Sequence, residues 1–292
     1  MTELDRRAFL ASLGLGAIGL VGCRRGVSLN SAQRVINGIP GKRKLDRIGI
    51  QMYTVRTQGR ADLPGTLGQL SKIGFKEVEW WGSYPGFTPV QIKALLDQNG
   101  LTAPSVHIGI PRTAEAWTPI FESARVLKHE WITAASPPFS ANTTEAWKLL
   151  AVAFNEAGKR VADAGFKFAY HNHTEGMKLE NGTRPFEIML ADTDPALVAI
   201  ELDIHWAYAG GADAIDLIRR YPRRIRMVHV KDSSGAPDFK QTDVGNGTYP
   251  WAKILDAAAT AGIEHYFLEH DSPGDAMIFA RAGYNYLAAL EF

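Results

Sequence analysis

After residue 45 a strand-like run followed by an amphipathic stretch recurs eight times, and this alternation constrains the fold more than any other feature of the chain. The runs rich in β-branched, aromatic and other apolar residues fall at 48–53, 77–80, 103–108, 131–134, 167–171, 198–203, 226–230 and 266–269. Their starts lie roughly 26–40 residues apart, the size of one strand–helix unit. The intervening stretches carry helix signals. Asn142-Thr143-Thr144-Glu145 caps a stretch through Ala162 that sets Trp147, Leu150, Ala151, Phe154, Ala157 and Val161 on one face. Ala164-Gly165 stops it before the next strand. The stretch 212–221 is amphipathic and stops at Pro222, and 251–261 stops at Gly262. No Gly-x-Gly-x-x-Gly follows any of the strands, which disfavours an open doubly wound sheet. The pattern predicts an α/β fold, a single-domain (β/α)8 TIM barrel over residues 46–292.

The residues before the barrel read differently. Asp5-Arg6-Arg7-Ala8-Phe9-Leu10 resembles a twin-arginine (Tat) export signal. The apolar run 8–22 is too short to span a bilayer, which takes about 20 apolar residues. Leu20-Val21-Gly22-Cys23 resembles a lipoprotein processing site, and Cys23 is the only cysteine in the chain. The expectation is a signal peptide over 1–22, a lipid on Cys23 and a basic, Gly-containing linker over 23–45. That makes the protein periplasmic and tethered to the membrane surface through the lipid, without a spanning helix. A single cysteine also excludes an intrachain disulfide and a multi-thiolate zinc site. The formal net charge of +1 gives no electrostatic case for nucleic acid as a partner.

Active sites of such barrels sit at the C-terminal ends of the strands. Here the late strands end in Tyr170-His171-Asn172-His173, Glu201-Leu202-Asp203-Ile204-His205-Trp206, His229-Val230-Lys231-Asp232 and Glu269-His270-Asp271, and His107 ends the third strand. Imidazole and carboxylate are the ligand types of Mn²⁺, Zn²⁺, Co²⁺ and Fe²⁺. A lone strand-end histidine is ordinarily a hydrogen-bonded structural residue; four consecutive strand ends of this composition point to one divalent metal ion. Residues two apart on a strand share a face, so His171 and His173 both face inward, Glu201 lies below Asp203, and Lys231 stands above His229. Asp203, His229 and Glu269 are the expected ligands, with His171 as the fourth and His173 and Glu175 as rivals for that position.

These same segments, with the opening strand Ile50-Gln51-Met52-Tyr53-Thr54-Val55-Arg56 and the loop Asp243-Val244-Gly245-Asn246-Gly247 before Trp251, resemble the sugar phosphate isomerase/epimerase superfamily of xylose isomerase-like TIM barrels. The likeness runs over about residues 46–290. It implies a metal held by His171, Asp203, His229 and Glu269. The family's epimerases keep a glutamate where this chain has His171, so one member of their acid/base pair is missing. The His-Asn-His form is more similar to the inosose dehydratase and keto-glycoside branches.

The chemistry expected of such a site begins with removal of a proton next to a ketone. Glu269 is the candidate base, His173 or His205 returns a proton, and Lys231 donates to the substrate oxygen. His107, Trp80 and Trp206 are candidate substrate contacts, with Trp81 beside Trp80. Without an Arg/Lys cluster or a Gly-rich phosphate loop, a non-phosphorylated sugar or glycoside is expected as the substrate. The main expectation is a metal-dependent isomerase or epimerase, with Mn²⁺, Zn²⁺, Co²⁺ or Mg²⁺ as the ion. The alternative within the same site is a lyase that cleaves 3-keto-glycosides or dehydrates a keto-cyclitol by β-elimination. A tethered sugar-binding barrel without turnover is the alternative of another class; a binder needs no base beside a metal. A nuclease on this barrel would need more metal ligands and a basic groove.

Overall fold

A computed structural model describes residues 43–292 except 83, 85, 142 and 181. The expected signal peptide, the lipid attachment at Cys23 and all but the end of the linker lie outside the described residues, as does Asn142. Among the described residues no helix is long and apolar enough to cross a membrane.

The described residues form ten strands: β1 (Gly49–Gln51), β2 (Glu77–Trp81), β3 (Thr102–Gly109), β4 (Trp131–Ser136), β5 (Lys167–His171), β6 (Val198–Asp203), β7 (Ile225–Val230), β8 (Asp232–Ser233), β9 (Gln241–Thr242) and β10 (His265–Leu268). β1 to β7 and β10 are all parallel and close into a barrel, β1 pairing with both β2 and β10; β8 and β9 form a separate antiparallel pair over the mouth. The eight-stranded expectation therefore holds. The strands are short and largely buried, as a parallel sheet wrapped by helices requires.

Helix signals act as the sequence suggests. Thr143 caps the helix Thr144–Asp163 by accepting from the Ala146 amide, and Trp147, Leu150, Phe154 and Val161 are buried against the sheet. Gly165 (φ +88°) then turns the chain into β5, a conformation L side chains resist. The helix Trp251–Ala261 ends at Gly262 in the left-handed region. The stretch expected as a helix over 212–221 forms one only over Ala214–Arg220, because Asp213 caps it through the Ile215 and Asp216 amides.

Two layers fill the barrel. The lower is apolar: Trp131, Ala169, Met227 and Phe267 form a buried cluster with Ala199 against it. The upper is polar. Gln51, Glu79, Ser105, Thr133, Glu201 and His229 are all fully buried there. Burying carboxylates without partners is costly, so this layer has to be read as a network.

The buried His129 lies outside that network. His129 donates from Nδ1 to the Ala103 carbonyl (2.6 Å), its Nε2 has no partner, and burial pushes its pKa down to about 4. A lowered folded pKa means the unfolded chain binds a proton that the folded chain refuses, so stability falls with pH from about 6.5 toward 4. A tenfold difference in proton affinity is worth about 1.4 kcal/mol, so the loss should total about 3 kcal/mol. Urea denaturation of the wild type and His129→Asn at pH 7 and 4.5 tests this. The variant should lose that part of the slope; parallel pH profiles would contradict it.

Candidate functional site

The register of the strands decides which side chains meet. Asp203 pairs with His229 across β6 and β7, and His229 with Phe267 across β7 and β10. Glu269 leaves the ladder one residue after β10, yet its amide still donates to the Val230 carbonyl (3.1 Å), which keeps it at the mouth. The ligand atoms of Asp203, His229 and Glu269 all lie within 4.8 Å of one another, and all three residues are buried. His229 Nδ1 stands 2.7 Å from Glu269 Oε2 and 3.9 Å from Asp203 Oδ2. Its other nitrogen, Nε2, is 2.6 Å from Glu79 Oε2 and 3.3 Å from Glu201 Oε2.

Lys231, two residues beyond His229, is fully buried and faces three carboxylates: Asp203 Oδ2 at 2.9 Å, Glu269 Oε2 at 2.8 Å and Asp271 Oδ1 at 2.8 Å. Burial would lower its pKa, but these three charges hold it well above the usual lysine range. The ammonium therefore keeps its charge. Burial would likewise raise the Glu269 carboxyl, and Lys231 and His229 instead hold it well below the carboxylate range.

Beneath lies the polar layer. Glu79 accepts from Gln51 Nε2 (2.7 Å), Ser105 Oγ (2.5 Å) and His229 Nε2 (2.6 Å). His107 Nε2 bonds Glu201 Oε2 at 2.6 Å and stands 3.2 Å from Glu79. Burial opposes a charged His107, yet Glu79 and Glu201 together raise it to about 10. Neither glutamate was singled out from the sequence as a site residue. The signal for Glu79 lay in the run Glu77-Val78-Glu79-Trp80-Trp81, an acid on the inward face of a strand where an aliphatic residue is usual.

The expected set of four ligands is brought together only in part. His171 pairs in register with Glu201, not Asp203. Its Nδ1 lies 3.2 Å from Glu201 Oε2, and it groups with His107, Glu201 and His229. The two groups share His229, and the His171 and His229 rings are 4.4 Å apart. Burial and the neighbouring His229 push His171 well below the usual histidine pKa, so its ring is neutral with a lone pair free. Of its rivals, Glu175 is exposed, and His173 stands half-buried with its ring 5.0 Å from His171. Asn172, facing away as alternation requires, accepts from the Asp203 amide (3.0 Å) and fixes the end of β6.

The aromatic expectations divide. Trp80 is corrected: it faces the helices, 3% exposed and packed on Tyr84 (4.9 Å between rings), so it cannot stack a substrate at the mouth. Its neighbour Trp81 takes the inward face instead, edge-on to Tyr53 at 4.8 Å. Trp206 lies at the mouth, with the Lys231 ammonium 5.3 Å over its ring and its own Nε1 unpartnered. His205 sits beside it and reaches the Tyr249 hydroxyl at 3.2 Å. His107, expected as a substrate contact, has its Nε2 committed to the two glutamates below. Asp232 is structural: it accepts from the Gly245 amide (2.9 Å) and Trp251 Nε1 (2.8 Å), tying the Asp243–Gly247 loop to the mouth.

Donor chemistry and unmet valence both fit a divalent cation. Two carboxylates and an imidazole nitrogen converge; Asp203 Oδ2 meets only the Lys231 ammonium, at 2.9 Å, and His171 Nδ1 and Glu201 Oε1 are buried without a hydrogen bond. His229 can present Nδ1 to an ion because Glu79 takes the proton on Nε2, the carboxylate–histidine arrangement that orients metal ligands.

Comparison with known proteins agrees with this architecture. The family model described as xylose isomerase-like TIM barrel matches residues 67–291. An inosose dehydratase of Clostridium botulinum is 33% identical over 88 residues, 30% of this chain, and the match spans only 29% of that enzyme's length. A crystal structure of a sugar phosphate isomerase/epimerase from Parabacteroides distasonis superposes with a TM-score of 0.71 at 25% identity, covering 88% of this chain and 99% of that one. The IolI protein, solved with a zinc atom, shares the fold at 14% identity with a TM-score of 0.66, covering 82% of this chain and 95% of that one.

Proposed function

The chain belongs to the xylose isomerase-like TIM-barrel family, and from that membership we propose that it is a metal-dependent enzyme that removes the proton next to the carbonyl of a non-phosphorylated keto-sugar or glycoside. The observation that carries the reading is the convergence of Asp203, His229 and Glu269 with the charged Lys231 at the C-terminal mouth of the barrel. A divalent ion held by these three residues, with His171 beside them, supplies Lewis acidity toward the ketone oxygen. Mn²⁺, Zn²⁺, Co²⁺ and Mg²⁺ all suit such oxygen and nitrogen donors; the zinc of the IolI fold-mate supports the second.

The chain's own groups then divide the work. Glu269 is the carboxylate base that takes the α-proton. Lys231 keeps its proton and stabilises negative charge developing on the substrate oxygen. His173 and His205 are pushed down by burial, so at neutral pH they stand as neutral imidazoles that relay a proton rather than hold one. Trp206 offers a face for the apolar side of a sugar ring, and Trp81 replaces Trp80 in that role.

Delivery of a proton to the neighbouring carbon gives an isomer and to the opposite face of the same carbon an epimer; expulsion of a β-oxygen, protonated by a histidine as it leaves, gives elimination. The second outcome is favoured by one feature: His171 stands where a two-base epimerase needs a second carboxylate. The inosose dehydratase relatives support the same outcome. The test is α-proton exchange in deuterated water, followed by NMR with keto-sugars, 3-keto-glycosides and keto-cyclitols. Exchange that requires added metal supports the proposal, and the products choose between isomerisation and elimination. A protein that takes up metal and sugar without exchange would instead be a binding barrel.

The reading of residues 1–45 joins this proposal: Tat export, a lipid on Cys23 and a periplasmic, surface-tethered enzyme. Cys23→Ala should then move the protein from the membrane to the soluble fraction on fractionation. An unchanged distribution would refute the anchor.

A further inference from the structure

Lys231 and a divalent ion need the same two oxygen atoms. Asp203 Oδ2 and Glu269 Oε2, which face His229 Nδ1 and complete the metal group, are also the atoms that the Lys231 ammonium contacts at 2.9 and 2.8 Å. An ion bound at the usual distance of about 2.0–2.2 Å from those oxygens would stand within about 4 Å of the ammonium, where like charges repel strongly in a buried site. Both cations cannot keep their positions. The third partner of Lys231 offers a way out. Asp271 Oδ1, 2.8 Å from Nζ, belongs to no metal group, and its carboxylate is about a third exposed at the rim. It is fixed there by Gln241, whose side-chain amide donates to Asp271 Oδ2 and whose oxygen accepts the Asp271 amide at 2.9 Å.

We infer that Lys231 is a resident counter-cation of the metal centre, and that on metal binding its ammonium withdraws from Asp203 and Glu269 onto Asp271. The inference rests on the metal-dependent reading above. Charge supports it. Taken by themselves, the three carboxylates and the ammonium they surround carry a net two negative charges, the amount a divalent ion neutralises. Lys231 thus holds the ligands together when the ion is away, and Asp271 keeps the ammonium in the site when the ion arrives. In its present position the ammonium stands 5.3 Å over the Trp206 ring.

Two substitutions should shift metal affinity in opposite directions. Lys231→Met keeps the packing stem and removes the competing charge, so Mn²⁺ should bind about tenfold more tightly or better. Asp271→Asn removes the refuge, holds the ammonium on Asp203 and Glu269, and should weaken Mn²⁺ about tenfold. A Lys231 that merely supports the fold would weaken binding in both variants by misplacing the ligands. The experiment is calorimetric titration of the purified protein with Mn²⁺, repeated with Zn²⁺ against a competing chelator, with thermal unfolding of each variant measured alongside. Opposite shifts support the exchange. Shifts of the same sign, or none, overturn it while leaving the metal reading intact. A wild-type protein that binds neither ion overturns both. Should Lys231→Met not fold, Asp271→Asn against Asp271→Glu decides: only the first should weaken binding, and equal affinity in the two would refute the withdrawal.

Discussion

Glu269→Gln is expected to lower the rate of α-proton exchange by about 10²–10⁴, the range general-base removal costs, and to weaken metal binding at the same time. Glutamine preserves the volume and one oxygen that Lys231 can still reach, so the mouth should keep its shape. What it removes is the basic carboxylate that accepts the proton, and with it one of the negative charges that hold the cation. It also leaves a neutral amide oxygen, shared with Lys231, where the charged Glu269 Oε2 now stands 2.7 Å from His229 Nδ1. The two losses can be separated. Exchange measured at saturating metal reports the base alone; titration with the ion reports the ligand. Glu269→Asp is the companion variant, since it retains the charge and withdraws the oxygens by one methylene. It should recover metal affinity more than exchange. If the glutamine variant exchanges at the wild-type rate once saturated with metal, Glu269 is only a ligand and the base lies elsewhere, His173 being the first residue to test.

The barrel was legible because its signal is repetitive: eight apolar runs at the spacing of a strand–helix unit, punctuated by Gly165, Pro222 and Gly262. The mouth was legible because strand ends are where polar residues have no structural reason to cluster. Asp203, His229, Lys231 and Glu269 were found that way, and the structure sets them in contact. What alternation could not supply is register. It placed His171 on the right face but could not show that its neighbour across β5 and β6 is Glu201. It also allowed either of the adjacent Trp80 and Trp81 to face the mouth, and only the inward position of Glu79, two residues before Trp81, decides between them. The polar layer below was missed for a related reason. Gln51, Glu79, Ser105 and Glu201 come from four different strands, and apart from the inward acid at Glu79 each alone reads as an ordinary strand residue. Their significance exists only once the barrel closes and buries them together.

Glu79 carries the heaviest load in that layer, and Glu79→Ala should destabilise the protein by about 3–5 kcal/mol, the cost of leaving a buried charged partner unpaired. Its carboxylate gathers Gln51, Ser105 and His229, with His107 at 3.2 Å, and no solvent reaches it. Burial alone would raise its pKa, but the facing His107 and His229 hold it well below the carboxylate range. Deleting it leaves His107 and His229 with Glu201 as their one remaining acid in the layer, and leaves the Gln51 amide without its acceptor. Glu79→Gln tests the functional side. It fills the same space at smaller cost, yet it no longer offers a charge to His229 Nε2. The proton there is then free to move to Nδ1, the nitrogen a metal needs bare. Metal affinity should fall about 10–100-fold, as it does when the partner of a ligating histidine is lost. Chemical denaturation and Mn²⁺ titration of both variants separate the two effects. A glutamine variant that is close to wild type in stability but weak in metal binding assigns Glu79 the positioning of His229. Wild-type affinity in that variant would mean the His229 tautomer is set without Glu79, and would reduce the polar layer to a structural element.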